Sequence, residues 1–305
     1  MGDLSWIWIP IVLVAAAAQT IRNAAQKNLI KSAGTLAATS VRFIYGLPFA
    51  VIALALVGGF SEDPWPRPNG TFLAWVSFAA VAQLAATALL LAAMQQRSFI
   101  VALAYSKTEV LQVAMFSALL LDERVSGAST AAIIIASLGV IILSVKRGVA
   151  GAGLLGGWLS AAALLGVASG TGFGISAVGY RGAALALGSM PPWLAGAYTL
   201  VWAQAIQSVL IGGYLAWREP EALRQVTRAW RVSLLAGFTG ALASFGWFTA
   251  FAMRNAADVR TLALVEVLYG YAVSRRLFKE KTTTQETLGI VLLVIGIIII
   301  SVQVA

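Results

Sequence analysis

Apolar residues run along this chain in ten blocks separated by short polar breaks. Each block approaches the ~20 residues that an α-helix needs to cross ~30 Å of hydrocarbon. The blocks lie near Trp6–Ala25, Ser40–Val57, Phe72–Met94, Ile100–Leu121, Ala128–Val145, Leu159–Val178, Trp193–Trp217, Val232–Met253, Val259–Phe278 and Thr287–Val304, and they predict an all-α membrane protein of ten transmembrane helices. Between them, Gly58–Gly70 carries Pro64, Pro66 and Pro68, which forbids continued helix. Gly148–Gly157 is glycine-rich and reads as the linker between two halves. In Arg218–Arg231, Pro220 and Glu221 suit a helix start, Leu223, Val226 and Trp230 share one face, and Arg224, Arg228 and Arg231 share another. That pattern predicts a short helix lying on an anionic leaflet. The first block has small residues at Ala15–Ala18, as a signal peptide does, but its leader holds Asp3 and no Lys or Arg, so it is expected to stay as a membrane helix.

The pattern also repeats. Leu103–Val145, shifted by 157 residues without a gap, falls on Arg260–Val302. Glu109-Val110-Leu111 meets Glu266-Val267-Leu268, Glu123 meets Glu280, Gly139 meets Gly296, and Ser144-Val145 meets Ser301-Val302; further upstream, Arg22 matches Arg181. Residues 1–148 and 149–305 are therefore expected to be two five-helix repeats. An odd number of crossings per half forces the second half to run through the membrane in the opposite sense, an inverted arrangement that in transporters places the binding site between the halves near the midplane.

Composition narrows the chemistry. Apolar residues make up 60% of the chain and charged ones 11%, against about a quarter charged in soluble proteins. With neither cysteine nor histidine, disulfides, thiol chemistry and ordinary zinc sites are excluded. No Gly-Lys pair occurs, so there is no Walker A loop, and no cofactor or metal is expected. The net charge of +9 suits loops that meet lipid headgroups; no soluble basic domain exists to hold nucleic acid. Fifteen Lys and Arg (Arg22, Lys27, Lys31, Arg42, Arg97, Lys146, Arg147, Arg218, Arg224, Arg228, Arg231, Arg275, Arg276, Lys279 and Lys281) fall on one side with the nearby helix ends. Five (Arg67, Arg124, Arg181, Arg254 and Arg260) fall on the other. The positive-inside rule then places both termini outside.

A carboxylate inside a hydrocarbon-length helix is costly and usually marks a pathway; here one recurs in each repeat. Helical spacing puts Tyr105, Glu109, Gln112 and Phe116 on one stripe of the fourth block, and Leu262, Glu266, Tyr269 and Val273 on the matching stripe of the ninth. The pair either binds substrate or a proton, or merely fixes helix packing. Lys107, whose repeat partner is Leu264, breaks the symmetry; it either binds or pairs with a carboxylate, or reaches to the membrane surface. Arg42 is assigned a structural or surface role. Gln19 and Asn23 in the first block and Gln83 and Thr87 in the third are further cavity candidates, because their side chains need partners in a dry membrane. The eighth block carries Ser244, Trp247, Phe248 and Phe251 on one stripe, a wall suited to stacking an aromatic group or simply to packing. Gly166, Gly170 and Gly174 form a ladder that lets another helix approach closely.

Glu109-Val110 followed by Asp122-Glu123-Arg124, Glu266-Val267 followed by Lys279-Glu280-Lys281, and Ala102-Leu103-Ala104-Tyr105 at the entry to the fourth block resemble the drug/metabolite transporter superfamily in its ten-helix form with paired EamA domains. Valine stands where that family often has proline after the glutamate, and Asp122 and Lys279 stand where it usually has glycine. The resemblance implies a bacterial inner-membrane secondary transporter that exports small metabolites, frequently amino acids, through a cavity lined by helices 1, 3, 4, 6, 8 and 9, with helices 5 and 10 peripheral and the termini cytoplasmic. Its partners would be a small-molecule substrate and membrane lipids. Expected substrate-binding residues are Gln19, Asn23, Gln83, Thr87, Tyr105, Glu109, Gln112, Ser244, Trp247, Glu266 and Tyr269, with Glu109 and Glu266 holding an ammonium group or a coupling proton. Tyr105, Trp247 and Tyr269 suggest aromatic amino acids. Efflux of lipophilic cations is the alternative within transport, and a structural membrane protein or an intramembrane enzyme the alternative outside it.

Overall fold

The computed structural model describes residues 6–61, 63–144, 160–276 and 284–302; the glycine-rich linker and the Lys279-Glu280-Lys281 turn lie outside them. The helices are α1 (Trp8–Ile44), α2 (Leu47–Gly59), α3 (Gly70–Gln96), α4 (Phe99–Ser106), α5 (Glu109–Leu121), α6 (Gly127–Ser144), α7 (Ala161–Ala186), α8 (Pro192–Arg218), α9 (Pro220–Arg228), α10 (Trp230–Met253), α11 (Ala256–Leu262), α12 (Val265–Arg276) and α13 (Thr284–Val302). They make ten membrane segments. α1 holds the first and the start of the second, bent at Gly34, whose φ of 80° and ψ of 171° lie where side chains other than hydrogen are strained. α2 completes the second segment, α4 and α5 are the two pieces of the fourth, and α11 and α12 are those of the ninth.

Local chemistry fixes several boundaries. Asn69, Ser160 and Asn255 cap α3, α7 and α11 by accepting hydrogen bonds from Phe72, Ala163 and Asp258 backbone N–H groups. Asp122 ends α5 with φ 53°, the left-handed conformation that favours glycine and that aspartate tolerates. α9 is the amphipathic helix expected from its sequence: Val226 is buried, while Arg224 and Arg228 are exposed and pair with Glu221. Trp230 leaves that stripe, because it opens α10 and stays half exposed.

The packing follows the repeat. The most extensive pairs are α3 with α7, α1 with α10, and α6 with α13. α1 runs against α10 in opposite directions, with Arg254 over the Trp8 ring at one end, Ala15 beside Gly246, and Arg22 and Arg42 beside Gly240. α3 and α7 are likewise antiparallel, with Ala86 beside Gly172, Ala79 beside Gly179 and Trp75 beside Gly182. Segment 1 on segment 8 and segment 3 on segment 6 are the same contact seen from the two halves. That equivalence is the pseudo-two-fold relation of an inverted repeat. α6 and α13 pack on each other through Gly139 and Gly296, to one side of the centre where the two broken segments meet.

Candidate functional site

Both midway breaks fall just before a glutamate: Glu109 is the first residue of α5 and Glu266 the second of α12. At the first, Lys107 and Thr108 donate backbone hydrogen bonds to Ala104 and Tyr105; at the second, Leu264 and Glu266 donate to Thr261 and Ala263. These three-residue closures tighten each helix into a 3₁₀-like turn, so the helices are interrupted without any proline. Gly170 allows the first break to sit against α7: a Cβ there would meet the Ser106 carbonyl oxygen at 2.6 Å. The whole ladder serves this approach, since Gly166 faces Tyr105 and Gly174 faces Val113 and Phe116.

The two breaks exchange charges. Lys107 of the first repeat donates to Glu266 Oε2 of the second at 2.6 Å, and Arg260 of the second donates to Glu109 Oε1 of the first at 2.5 Å. Lys107 also lies 3.3 Å from Glu109 Oε1 and so bridges both acids. The cations come from non-equivalent positions, yet the pairing is reciprocal. All four side chains are buried, which in a medium of low dielectric makes each pairing matter far more than at a surface.

Other segments extend this core. Gln19 donates to Glu266 Oε1 at 2.5 Å and accepts from Trp247 Nε1 at 3.0 Å. The Arg260 guanidinium lies over the Trp247 ring, 5.1 Å from its centroid. Arg22, fully buried, donates to Gln19 Oε1 and Asn23 Oδ1. Arg42, also buried, donates to Thr87 at 3.0 Å and Ser244 at 3.3 Å. Beside it, Gln83 accepts from Tyr180 and Gln207, and the Tyr180 ring packs on Phe248 with centroids 4.0 Å apart. The result is a closed polar interior drawn from both halves.

Sequence comparison bears on this arrangement directly. The model of the EamA-like transporter family matches residues 6–145 and again residues 160–302. The chain belongs to the EamA-like transporter family. It is thus a multi-pass membrane protein of a family that transports small molecules. A crystal structure described only as "Crystal structure of protein" has the same fold: TM-score 0.68, 16% identity, 96% of this chain and 94% of that one covered. No curated protein matches the sequence.

Within this EamA-type frame the expected residues separate into groups. Gln19, Asn23, Thr87, Glu109, Ser244, Trp247 and Glu266 join one buried assembly, and Gln83 lies next to it with Tyr180. Tyr105 is buried against Gly166, while Gln112 and Tyr269 are only partly buried and are absent from the central hydrogen bonds described above. Gln112 follows the break at Lys107–Thr108 and lies at the edge of this assembly. Lys107 does not reach the membrane surface; it lies between the two acids. Arg22, Arg42 and Arg260, which the sequence pattern places at helix ends or the surface, are interior residues. For the first two the reason is the hairpin: its tip is at Gly34, so Arg22 and Arg42 sit ~18 and ~12 Å down the helices from it. Their reassignment leaves thirteen cations on one side against four on the other, and the charge bias survives. The sequence pattern does not single out Gln207 and Tyr180; a glutamine inside the apolar seventh block is the available signal.

Proposed function

We propose that this protein is a secondary transporter that exports small metabolites, with amino acids, aromatic ones included, as cargo, across a bacterial inner membrane. The observation that carries the reading is the reciprocal ion pairing of Lys107 with Glu266 and of Arg260 with Glu109 across the interface between halves. Interrupted helices at the interface of inverted repeats are where such transporters hold solutes. In this reading residues 1–148 and 149–305 rock about the central assembly, and the crossed pairs must loosen and re-form in each cycle. Glu266 has both oxygens engaged, whereas Glu109 Oε2 is buried without a hydrogen-bond partner. Glu109 is therefore the acid that presents an acceptor to a substrate ammonium or a coupling proton. Trp247, Tyr180 and Phe248 supply apolar wall for a side chain.

The test is counterflow in proteoliposomes preloaded with single amino acids, comparing the intact protein with Glu109→Gln and Glu266→Gln. Exchange of a few amino acids that is lost in both variants while folded protein remains is the expected result. Movement of tetraphenylphosphonium with no exchange of any amino acid would replace amino-acid export by efflux of lipophilic cations. A reporter fused to the C-terminus reports its side independently, the thirteen-to-four bias predicting the outer face.

A further inference from the structure

The central assembly does not balance its charge. Lys107 and Arg260 share Glu109 and Glu266, but Arg22 and Arg42 have no carboxylate partner among the described residues. The other buried acid, Asp258, is engaged by Ser129 and Asn255 at the start of α11. Each of the two arginines directs two hydrogen bonds at neutral oxygens: Gln19 and Asn23 for Arg22, Thr87 and Ser244 for Arg42. A guanidinium has five N–H donors, and the buried Nε of each is without a partner. The stems of the two side chains pass the same glycine: a Cβ at Gly240 would stand 3.2 Å from Arg22 Cδ and 3.2 Å from Arg42 Cβ. Two like charges held in one dry interior are destabilising unless an anion joins them. Planar forks with free donors are what bind carboxylate and phosphate in two-point fashion.

We infer that Arg22 and Arg42 together form the receptor for the oxyanion end of the transported solute, a carboxylate or a phosphate. The inference rests on the transport reading and deepens it by stating which end of the solute is held and by what. For an amino acid it sets a polarity: the carboxylate lies at the two arginines of α1, and the ammonium points away from them. It also states what is refused, since a solute that carries only positive charge adds to an existing surplus.

The experiment uses matched probes against counterflow of phenylalanine and against thermal unfolding of the purified intact protein. Phenylalanine carries both charged ends, 3-phenylpropanoate lacks the ammonium, and phenylalaninamide lacks the carboxylate; succinate and inorganic phosphate separate carboxylate from phosphate preference. The expected result is that 3-phenylpropanoate competes or stabilises and phenylalaninamide does neither. Arg22→Gln and Arg42→Gln should weaken every oxyanion probe at least tenfold, with Arg22→Lys and Arg42→Lys retaining part of the effect. Recognition of phenylalaninamide but not of 3-phenylpropanoate would overturn the inference while leaving amino-acid transport intact. So would phenylalanine exchange that is unchanged in folded glutamine variants. Stabilisation by succinate or phosphate with no phenylalanine exchange, lost in Arg42→Gln, would uphold the oxyanion receptor and remove the amino-acid reading. If the glutamine variants do not fold, the probe series on the intact protein decides, and failure of all three oxyanions sinks the inference.

Discussion

The broken helices and the α1 hairpin each bring two cations to the centre of the molecule, and they handle them in opposite ways. Lys107 and Arg260 each find a carboxylate from the other repeat; Arg22 and Arg42 find amides and hydroxyls. The first arrangement is self-contained and ties the halves together. The second is built from the same residue chemistry, yet it holds positive charge for which the described interior supplies no counter-ion. The difference shows that burial of a charge is not one kind of observation. Paired, it reads as a joint; unpaired, it reads as a site that something else completes.

The largest effect expected from disturbing this contrast comes from removing one acid of the joint. Glu109→Gln leaves Arg260 buried beside a neutral amide, and breaking a buried pair from one side costs about 3–5 kcal/mol. Thermal and denaturant unfolding in detergent should show that loss, and an unchanged stability would mean that the pairing between repeats is not a joint at all. Next comes the Lys107–Glu266 pair, examined as a cycle of Lys107→Met, Glu266→Leu and the double variant. Contacting buried charges should couple by roughly 1–3 kcal/mol, with the double variant more stable than either single one. Additive losses would place the two side chains in separate environments. A substitution in the hairpin itself comes third. Gly34→Ala forces a side chain onto φ 80° and should cost about 1–3 kcal/mol. Because Gly34 sets how the two arms of α1 face each other, this variant should weaken binding of an oxyanion probe without changing the Lys107–Glu266 coupling. Equal loss of both would mean that the two regions are mechanically one.

The sequence made the fold legible because its signals are long-range averages. Ten apolar blocks, a 157-residue repeat and an odd number of crossings per half suffice for an inverted ten-helix architecture, and small details such as Asp122 in a glycine-like turn only refine it. The acids were legible too, since Glu109 and Glu266 recur. What could not be read were the partners. Arg260 aligns with Leu103 and Lys107 with Leu264, so the crossed pairing is invisible to a search for symmetric positions. The apolar pattern puts Arg22 and Arg42 at helix ends because the polar stretch Gln26–Ser40 resembles a loop. It is in fact helix turned at one glycine, with the Gln26 amide donating to the Ala38 carbonyl across the hairpin. A single backbone conformation therefore moved two charges from the surface to the centre, and no periodicity records it.

The smallest expected change in stability concerns the residues with the largest expected consequence for binding. Arg42→Gln removes two hydrogen bonds to neutral oxygens, each worth about 0.5–1.5 kcal/mol net, more where the donor is charged. It also removes an unpaired charge whose burial costs several kcal/mol, and it relieves repulsion from Arg22. The terms oppose each other, so unfolding of the unliganded variant should shift by no more than about 1 kcal/mol, in either direction. The same reasoning applies to Arg22→Gln. A loss of about 3 kcal/mol or more in either variant, comparable to that of Glu109→Gln, would mean that these arginines have a compensating partner and are braces of the fold. A stability that holds while oxyanion binding disappears would separate the two kinds of buried cation, because only a charge awaiting its counter-ion can be deleted at little cost to the empty protein.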